Sequence, residues 1–263
     1  MIGDPWRLPR RVVPAALRQR LHLRARWQAH ALWPAVGWVR FGSLRRVEPI
    51  SRNWGFDRGL PVDRYYIARF LERHAQCVLG RVLEIADNTY TREFGGADVT
   101  RSDVLHVAGG NPRATIVGDL AYAPHIVSES FDCIILTQTF QLIYDVRAAI
   151  RTIHRILKPG GVVLATFPGI SQISRYDADR WGYYWSFTTL SAQRLFEECF
   201  PAENVHVQAH GNVLAAIALL HGLACQELRP SELNYFDPDY EVLITVSARK
   251  PPATPGAQRT ARR

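Results

Sequence analysis

Lysine, cysteine and long apolar runs are all scarce in this 263-residue chain, and each scarcity removes a class of reading. Only Lys158 and Lys250 are lysine, against 30 arginines, a bias that points to a GC-rich bacterial coding sequence and carries no mechanism. The four cysteines, Cys77, Cys133, Cys199 and Cys225, stand far apart with no CxxC pair. That spacing argues against a disulfide-stapled secreted scaffold and against a zinc ribbon, and it favours reduced thiols in the cytoplasm. No apolar run approaches the roughly 20 residues that a membrane-spanning helix needs. The amino-terminal stretch also lacks the apolar core and small-residue cleavage site of a secretory signal. With 47% apolar and 21% charged residues, there is material for one sizeable core.

The net charge of +8 is unevenly placed. Residues 1–58 hold twelve arginines against three acids, +9, and residues 250–263 carry +4. The body, 59–249, is −5. Three regions are therefore expected: a basic Trp/Arg-rich arm (1–58), a folded domain (59–249) and a basic disordered tail (250–263) rich in Pro, Ala and Arg. The arm interleaves Arg7, Arg10, Arg11, Arg18, Arg20, Arg24 and Arg26 with Trp6, Trp27, Trp33 and Trp38. A helix over 14–32 would be basic and loosely amphipathic. It is read either as a docking element for a second subunit, an acidic partner or an anionic membrane surface, or as an arm that is partly disordered or packed on its own domain.

Within the body, apolar strands alternate with amphipathic helices. Helices are expected over 61–77, 145–157 and 189–199. Strands are expected over 81–86, 99–105, 114–117, 131–137, 162–168, 205–210 and 240–248. FDCIILT (131–137) has the near-continuous apolar character of a strand buried on both faces. Alternation of this kind gives an α/β fold with a mostly parallel sheet covered on both sides.

The block FDCIILTQTFQLIYDVRAAIRTIHRILKPGGVVLATFP (131–168) follows a VLEI strand and an acidic second strand. With its Arg155-x-Leu157-Lys158-Pro159-Gly160-Gly161 turn, it resembles class I S-adenosylmethionine-dependent methyltransferases, and the likeness extends over about 60–249. RYDADRWGYYWSFT (175–188) further resembles methyltransferase-like proteins associated with bacterial glycosyltransferases. The resemblance implies a Rossmann-like fold with a mostly parallel seven-stranded sheet, and S-adenosyl-L-methionine as cofactor. It aligns Glu84, Ala86, Asn88 and Tyr90 with the family's E/D-x-G-x-G-x-G loop, so all three glycines are replaced. Asp103 takes the place of the carboxylate at the second strand's end that meets the ribose. Asp119 takes that of the acid beside the adenine, and Thr137 and Gln138 lie below the methionine moiety.

On the acceptor side the same resemblance supplies Gln141, Tyr144 and Asp145 after the fourth strand, then Tyr176, Asp177, Asp179, Trp181 and Tyr183–Trp185 after the fifth. Asp145, Tyr176 and Asp177 are the expected catalytic groups, aligning an acceptor and accepting its proton. Asp57, Arg58, Arg64, Tyr65 and Tyr66, before the first strand, are read either as facing ligand or as locking their helix onto the domain. His206, His210 and His221 lack metal-ligand spacing, and no metal is expected.

The function expected is S-adenosylmethionine-dependent methylation, on oxygen, of a small-molecule or carbohydrate-type acceptor. Two alternatives stay open: a non-catalytic methyltransferase-like partner or scaffold with a degenerate cofactor loop, and a fold that binds another nucleotide or does non-methyl chemistry. A nucleic-acid substrate is not expected. Thr137-Gln138-Thr139-Phe140 is not the N/D-P-P-Y/F motif of DNA amino-methyltransferases, and the body lacks the basic excess of an RNA-binding face.

Overall fold

The computed structural model describes Pro34 and residues 37–253. The expected helix over 14–32 and most of the basic tail lie outside the described residues. Two compact units divide the chain, Met1–Val47 and Glu48–Arg263. In the first, the described part contains a single 3₁₀ turn, Gly42–Leu44, with Arg45 over the Phe41 ring at 5.9 Å. The second unit is longer than the expected body. Residues 48–58, assigned above to the arm, belong to it, and the Ile50 and Ser51 amides both donate to the His221 carbonyl (2.9 and 3.0 Å).

This unit is a seven-stranded sheet: β1 (Gly80–Ile85), β2 (Val99–His106), β3 (Ile116–Val117), β4 (Phe131–Thr137), β5 (Leu157–Pro168), β6 (Val205–His210) and β7 (Leu243–Arg249). Its order is β3-β2-β1-β4-β5-β7-β6, with only β7 antiparallel to its neighbours. The expected α/β architecture, a mostly parallel seven-stranded sheet with helices on both faces, is the observed one. The helices are α1 (Val62–Arg73), α2 (Thr89–Phe94), α3 (Val146–Ile156), α4 (Arg175–Trp181), α5 (Thr189–Glu197), α6 (Val213–Leu220) and α7 (Pro230–Asn234).

Two cores follow from the sheet's two faces. One side of the sheet packs on α3 and α5 through Ile150, Ile153, Phe140, Phe167 and Phe196. The other packs on α1 and α6 through Ile67, Leu71, Ala215 and Leu219. β4 contributes to both, since Cys133, Ile134, Ile135 and Leu136 are fully buried. Asp145 caps α3 by accepting from the Ala148 amide (2.9 Å), and the stripe Val146, Ala149, Ile150, Ile153 turns inward behind it. Lys158 reaches Asp132 (2.7 Å), which fixes the Lys-Pro-Gly-Gly bend at the start of β5. At the far end of β5, Gly169 lies against the Glu241 carbonyl, where a Cβ would come to 2.0 Å. Among the described residues no helix is long and apolar enough to cross a membrane.

Candidate functional site

In an open parallel sheet, ligands sit beyond the strand carboxyl ends where the strand order reverses. Here that point lies between β1 and β4, because the chain runs outward to β2 and β3 on one side and to β4 and β5 on the other. The residue just past each of these two strands has a left-handed backbone: Ala86 (φ +68°) after β1 and Gln138 (φ +48°) after β4. Such a conformation costs a non-glycine residue about 1–2 kcal/mol, and strain of this kind gathers at ligand sites. Ala86 therefore makes a left-handed turn without a glycine. Replacing Ala86 with Gly should raise stability by about 0.5–1 kcal/mol, the strain relief less glycine's backbone entropy. Urea unfolding checks this, and an unchanged or lower midpoint would contradict a left-handed residue here.

Beneath that turn, Glu84 is 3% exposed. Its carboxylate accepts from the Tyr90 amide (3.1 Å), the Thr91 amide (2.8 Å) and the Thr91 hydroxyl (2.8 Å), so it holds the amino terminus of α2. Burial pushes this carboxyl up to about 7, against those three hydrogen bonds, which favour the charged form. Asn88 donates to Ser102 Oγ (3.1 Å) and ties the loop to β2. Tyr90 turns away from the turn: its ring stacks with Phe94 (6.3 Å), and its hydroxyl accepts from Arg64 (3.3 Å) on α1. Thr137 ends β4 half-buried, and the Gln138 amide donates to Thr166 O (3.2 Å). Glu84, Ala86, Asn88, Thr137 and Gln138 thus lie together at the carboxyl ends of β1 and β4, where a crevice is expected.

Asp103 is not at this crevice, and its expected place at the strand's end is corrected. β2 continues to His106, and the pairing of Leu83 with Asp103 puts the carboxylate level with the middle of the sheet. It is fully buried and accepts from Arg81 Nε (2.6 Å), Arg101 (3.0 Å) and the Thr115 hydroxyl (2.9 Å). Burial works to raise this carboxyl, but the bonds from Arg81, Thr115 and Arg101 prevail and hold it below the usual carboxylate range. At the true strand end stands His106, with the Trp181 ring edge-on at 5.5 Å. Trp181 closes α4, so the chain from β5 to this contact passes over the ends of β4 and β1.

Asp119 follows β3 on the exposed rim and accepts from the Ala121 amide (2.8 Å). Of the expected catalytic groups, Asp145 is exposed and committed to its helix cap, a second correction. Tyr176 is 66% exposed, with Arg180 3.6 Å over its ring. Asp177 is half-buried and acts on the Tyr183 phenol, which burial raises and the Ser171 hydroxyl lowers. The aromatic loop is anchored to the segment after β4, through Tyr184 N to Gln141 O (2.8 Å) and Trp185 Nε1 to Ile143 O (3.0 Å).

One further group, Asp63, carried no site signal in the sequence. Asp63, in the first turn of α1, is 8% exposed, and burial raises its carboxyl against the opposing charge of Arg64, whose Nε is 3.9 Å away. It also bears on Tyr183. Its helix-start position was the only signal, and that alone reads as a dipole partner. Gln141, named above for the acceptor side, has its Oε1 buried with no hydrogen-bond partner among the described residues. Most of the residues before β1 lock elements together. Asp57 accepts from Ser51, Arg58 pairs with Glu227, Tyr65 donates to Asn234 Oδ1 and Tyr66 to Leu233 O. Arg64 alone reaches the crevice loop.

Residues 74–165, from just before β1 into β5, match the family model of a methyltransferase domain. Over this part, about a third of its length, the chain is similar to methyltransferase domains. No curated protein matches the chain at the level of sequence. Among solved structures it is similar to phosphoethanolamine N-methyltransferase 2 of Haemonchus contortus, with 17% identity and a TM-score of 0.48 over 80% of this chain and 55% of that one. It is likewise similar to a SAM-dependent methyltransferase of Archaeoglobus fulgidus, with 10% identity and a TM-score of 0.48 over 71% of this chain and 94% of that one. The chain therefore spans little more than half the length of the Haemonchus contortus enzyme.

Proposed function

We propose that the protein is a methyltransferase that uses S-adenosyl-L-methionine and methylates a small-molecule acceptor, with a hydroxyl on a carbohydrate-type ring as the favoured target. The observation that carries the reading is the methyltransferase domain match over 74–165, coinciding with two left-handed residues at the sheet's reversal point. The donor set suits the methionine end of the cofactor. Arg64 offers a guanidinium to its carboxylate, and the buried Asp63 offers a carboxylate to its ammonium. Asp119, on the rim after β3, suits the adenine amino group. At the ribose end the chain departs from its family, with His106 where a carboxylate is usual.

When bound, this cofactor supplies an electrophilic methyl group. The chain's own part is to orient the acceptor and keep water out. Trp181 and the loop Tyr183–Trp185 do the second, anchored over the strand ends. Asp177 and Tyr183, which act on each other, are the titratable groups assigned here to take the acceptor's proton. Gln141 Oε1, an acceptor without a donor, suits a substrate hydroxyl or amine.

Calorimetry with S-adenosylmethionine and S-adenosylhomocysteine tests the reading. Saturable binding is expected, weakened about tenfold by Arg64→Ala through loss of a charge-assisted bond. No heat and no thermal shift at millimolar ligand would overturn it. Binding that appeared only after glycines were placed at 86, 88 and 90 would favour a non-catalytic partner protein instead.

A further inference from the structure

A groove of about 210 Å³ lies beside the edge strand β6, between the last turns of α1 and the segment after α7. In the sheet, β6 is four strands from β1, or about 19 Å at the usual strand spacing, so the groove stands apart from the crevice. Arg69 and Arg73 project into it from α1, one turn apart on the same helix face. Arg69 donates to the Tyr65 hydroxyl (2.7 Å) and rests over that ring at 5.4 Å. Arg73 donates to the Arg69 carbonyl (3.2 Å) and, at 3.5 Å, to Gln208 Oε1. Every one of these acceptors is neutral. They hold the two guanidiniums in place and add no negative charge. Glu72 lies on the same rim, yet among the described residues it forms an ion pair with neither.

The same contacts use up the side-chain amide acceptors, so that the Glu72 carboxylate is the acceptor left on the rim. Asn234 Oδ1 is taken by the Tyr65 hydroxyl (2.8 Å) and Gln208 Oε1 by Arg73. The amide NH₂ groups of Asn234 and Gln208 have no acceptor among the described residues. Donors thus outnumber acceptors around the groove, the imbalance expected of an oxyanion site. One side is apolar: Tyr235 and Phe236 are 65% and 51% exposed. His210 stacks on Tyr66 at 5.6 Å, and burial together with the Arg73 charge holds its imidazole down to about 4, so at neutral pH it adds a flat uncharged surface.

We propose that this groove binds a phosphate monoester carried on a ring-bearing small molecule. The phosphate oxygens meet Arg69, Arg73 and the amides of Asn234 and Gln208, and the ring lies against Tyr235 and Phe236. Two guanidiniums and two amides offer more donors than the two oxygens of a carboxylate can use, which favours phosphate.

Phenyl phosphate, inorganic phosphate and benzoate, titrated into the full chain by calorimetry, test it. Phenyl phosphate should bind saturably and more tightly than either of the others. The double variant Arg69→Gln/Arg73→Gln should weaken it about tenfold or more, as expected when charge-assisted bonds are removed. Both arginines are exposed, so the variant's thermal midpoint should match that of the parent. Tyr235→Ala should weaken phenyl phosphate and leave inorganic phosphate unchanged. Absence of saturable binding, equal binding by the double variant, or tighter binding of benzoate would each overturn the proposal.

Discussion

Replacing Glu84 with alanine is expected to cost about 2–3 kcal/mol at neutral pH, because two buried donors on Thr91 and the Tyr90 amide then lose their acceptor. The cost stays below the sum of three such losses, since removal of a carboxylate that burial disfavours returns part of it. The α2 amino terminus should loosen, and with it the turn at Ala86 that shapes the crevice. Glu84→Gln separates the charge from the shape. In the folded protein the carboxyl titrates near 7, above its ordinary 4.5, so between those values the folded state holds the proton that the unfolded state has lost. Its stabilising contribution is complete below about 4.5 and is lost as pH rises through about 7, amounting to about 3 kcal/mol. Denaturation midpoints measured from pH 4 to pH 8 should show this decline in the parent. The glutamine variant should lack it, and an identical slope in both proteins would show that Glu84 does not carry the shift.

What could be read ahead of the structure was set by locality. The run from Phe131 to Pro168 is strand, helix and strand in the chain, because each element is bounded by its own signal: Asp145 before the helix, Lys158-Pro159-Gly160-Gly161 after it. The misplacement of Asp103 has a different origin. Counting residues from Glu84 fixes a distance along the chain, whereas the depth of a side chain in the sheet is fixed by pairing across strands, which sets Glu84 beside Val104. The octet Val213–Leu220 carries no helical period in sequence because all eight residues are apolar, so nothing distinguishes its faces; Asn212 caps it at Ala215 N (3.0 Å). Ala86 was legible as a departure from glycine but not as a left-handed residue, since the conformation is enforced by the Ala86 amide bonding to Leu105 O (3.0 Å) and by Asn111 bonding to the Ala86 carbonyl (2.7 Å). The groove beside β6 joins segments near 69, 208 and 234, and no window of sequence contains it.

Asp103→Asn should behave as a stability variant and not as a cofactor variant. The carboxylate is buried among Arg81, Arg101 and the Thr115 hydroxyl, and breaking one side of a buried pair costs about 3–5 kcal/mol. The lower end is expected here, because the Arg81 and Arg101 side chains are 29% and 60% exposed and can take water in exchange. The pH signature is the reverse of that of Glu84. With its folded value held below the ordinary one, Asp103 contributes stability that is present above the unfolded value and is lost as pH falls through the folded one. The parent should therefore lose stability on the acid limb from this residue, and the asparagine variant should lose less. Affinity for S-adenosylhomocysteine should be unchanged at a temperature where both proteins are folded. An Asp103→Asn protein with the parent's thermal midpoint but no cofactor affinity would return the residue to the ribose site. That result would mean that β2 ends three residues earlier than His106.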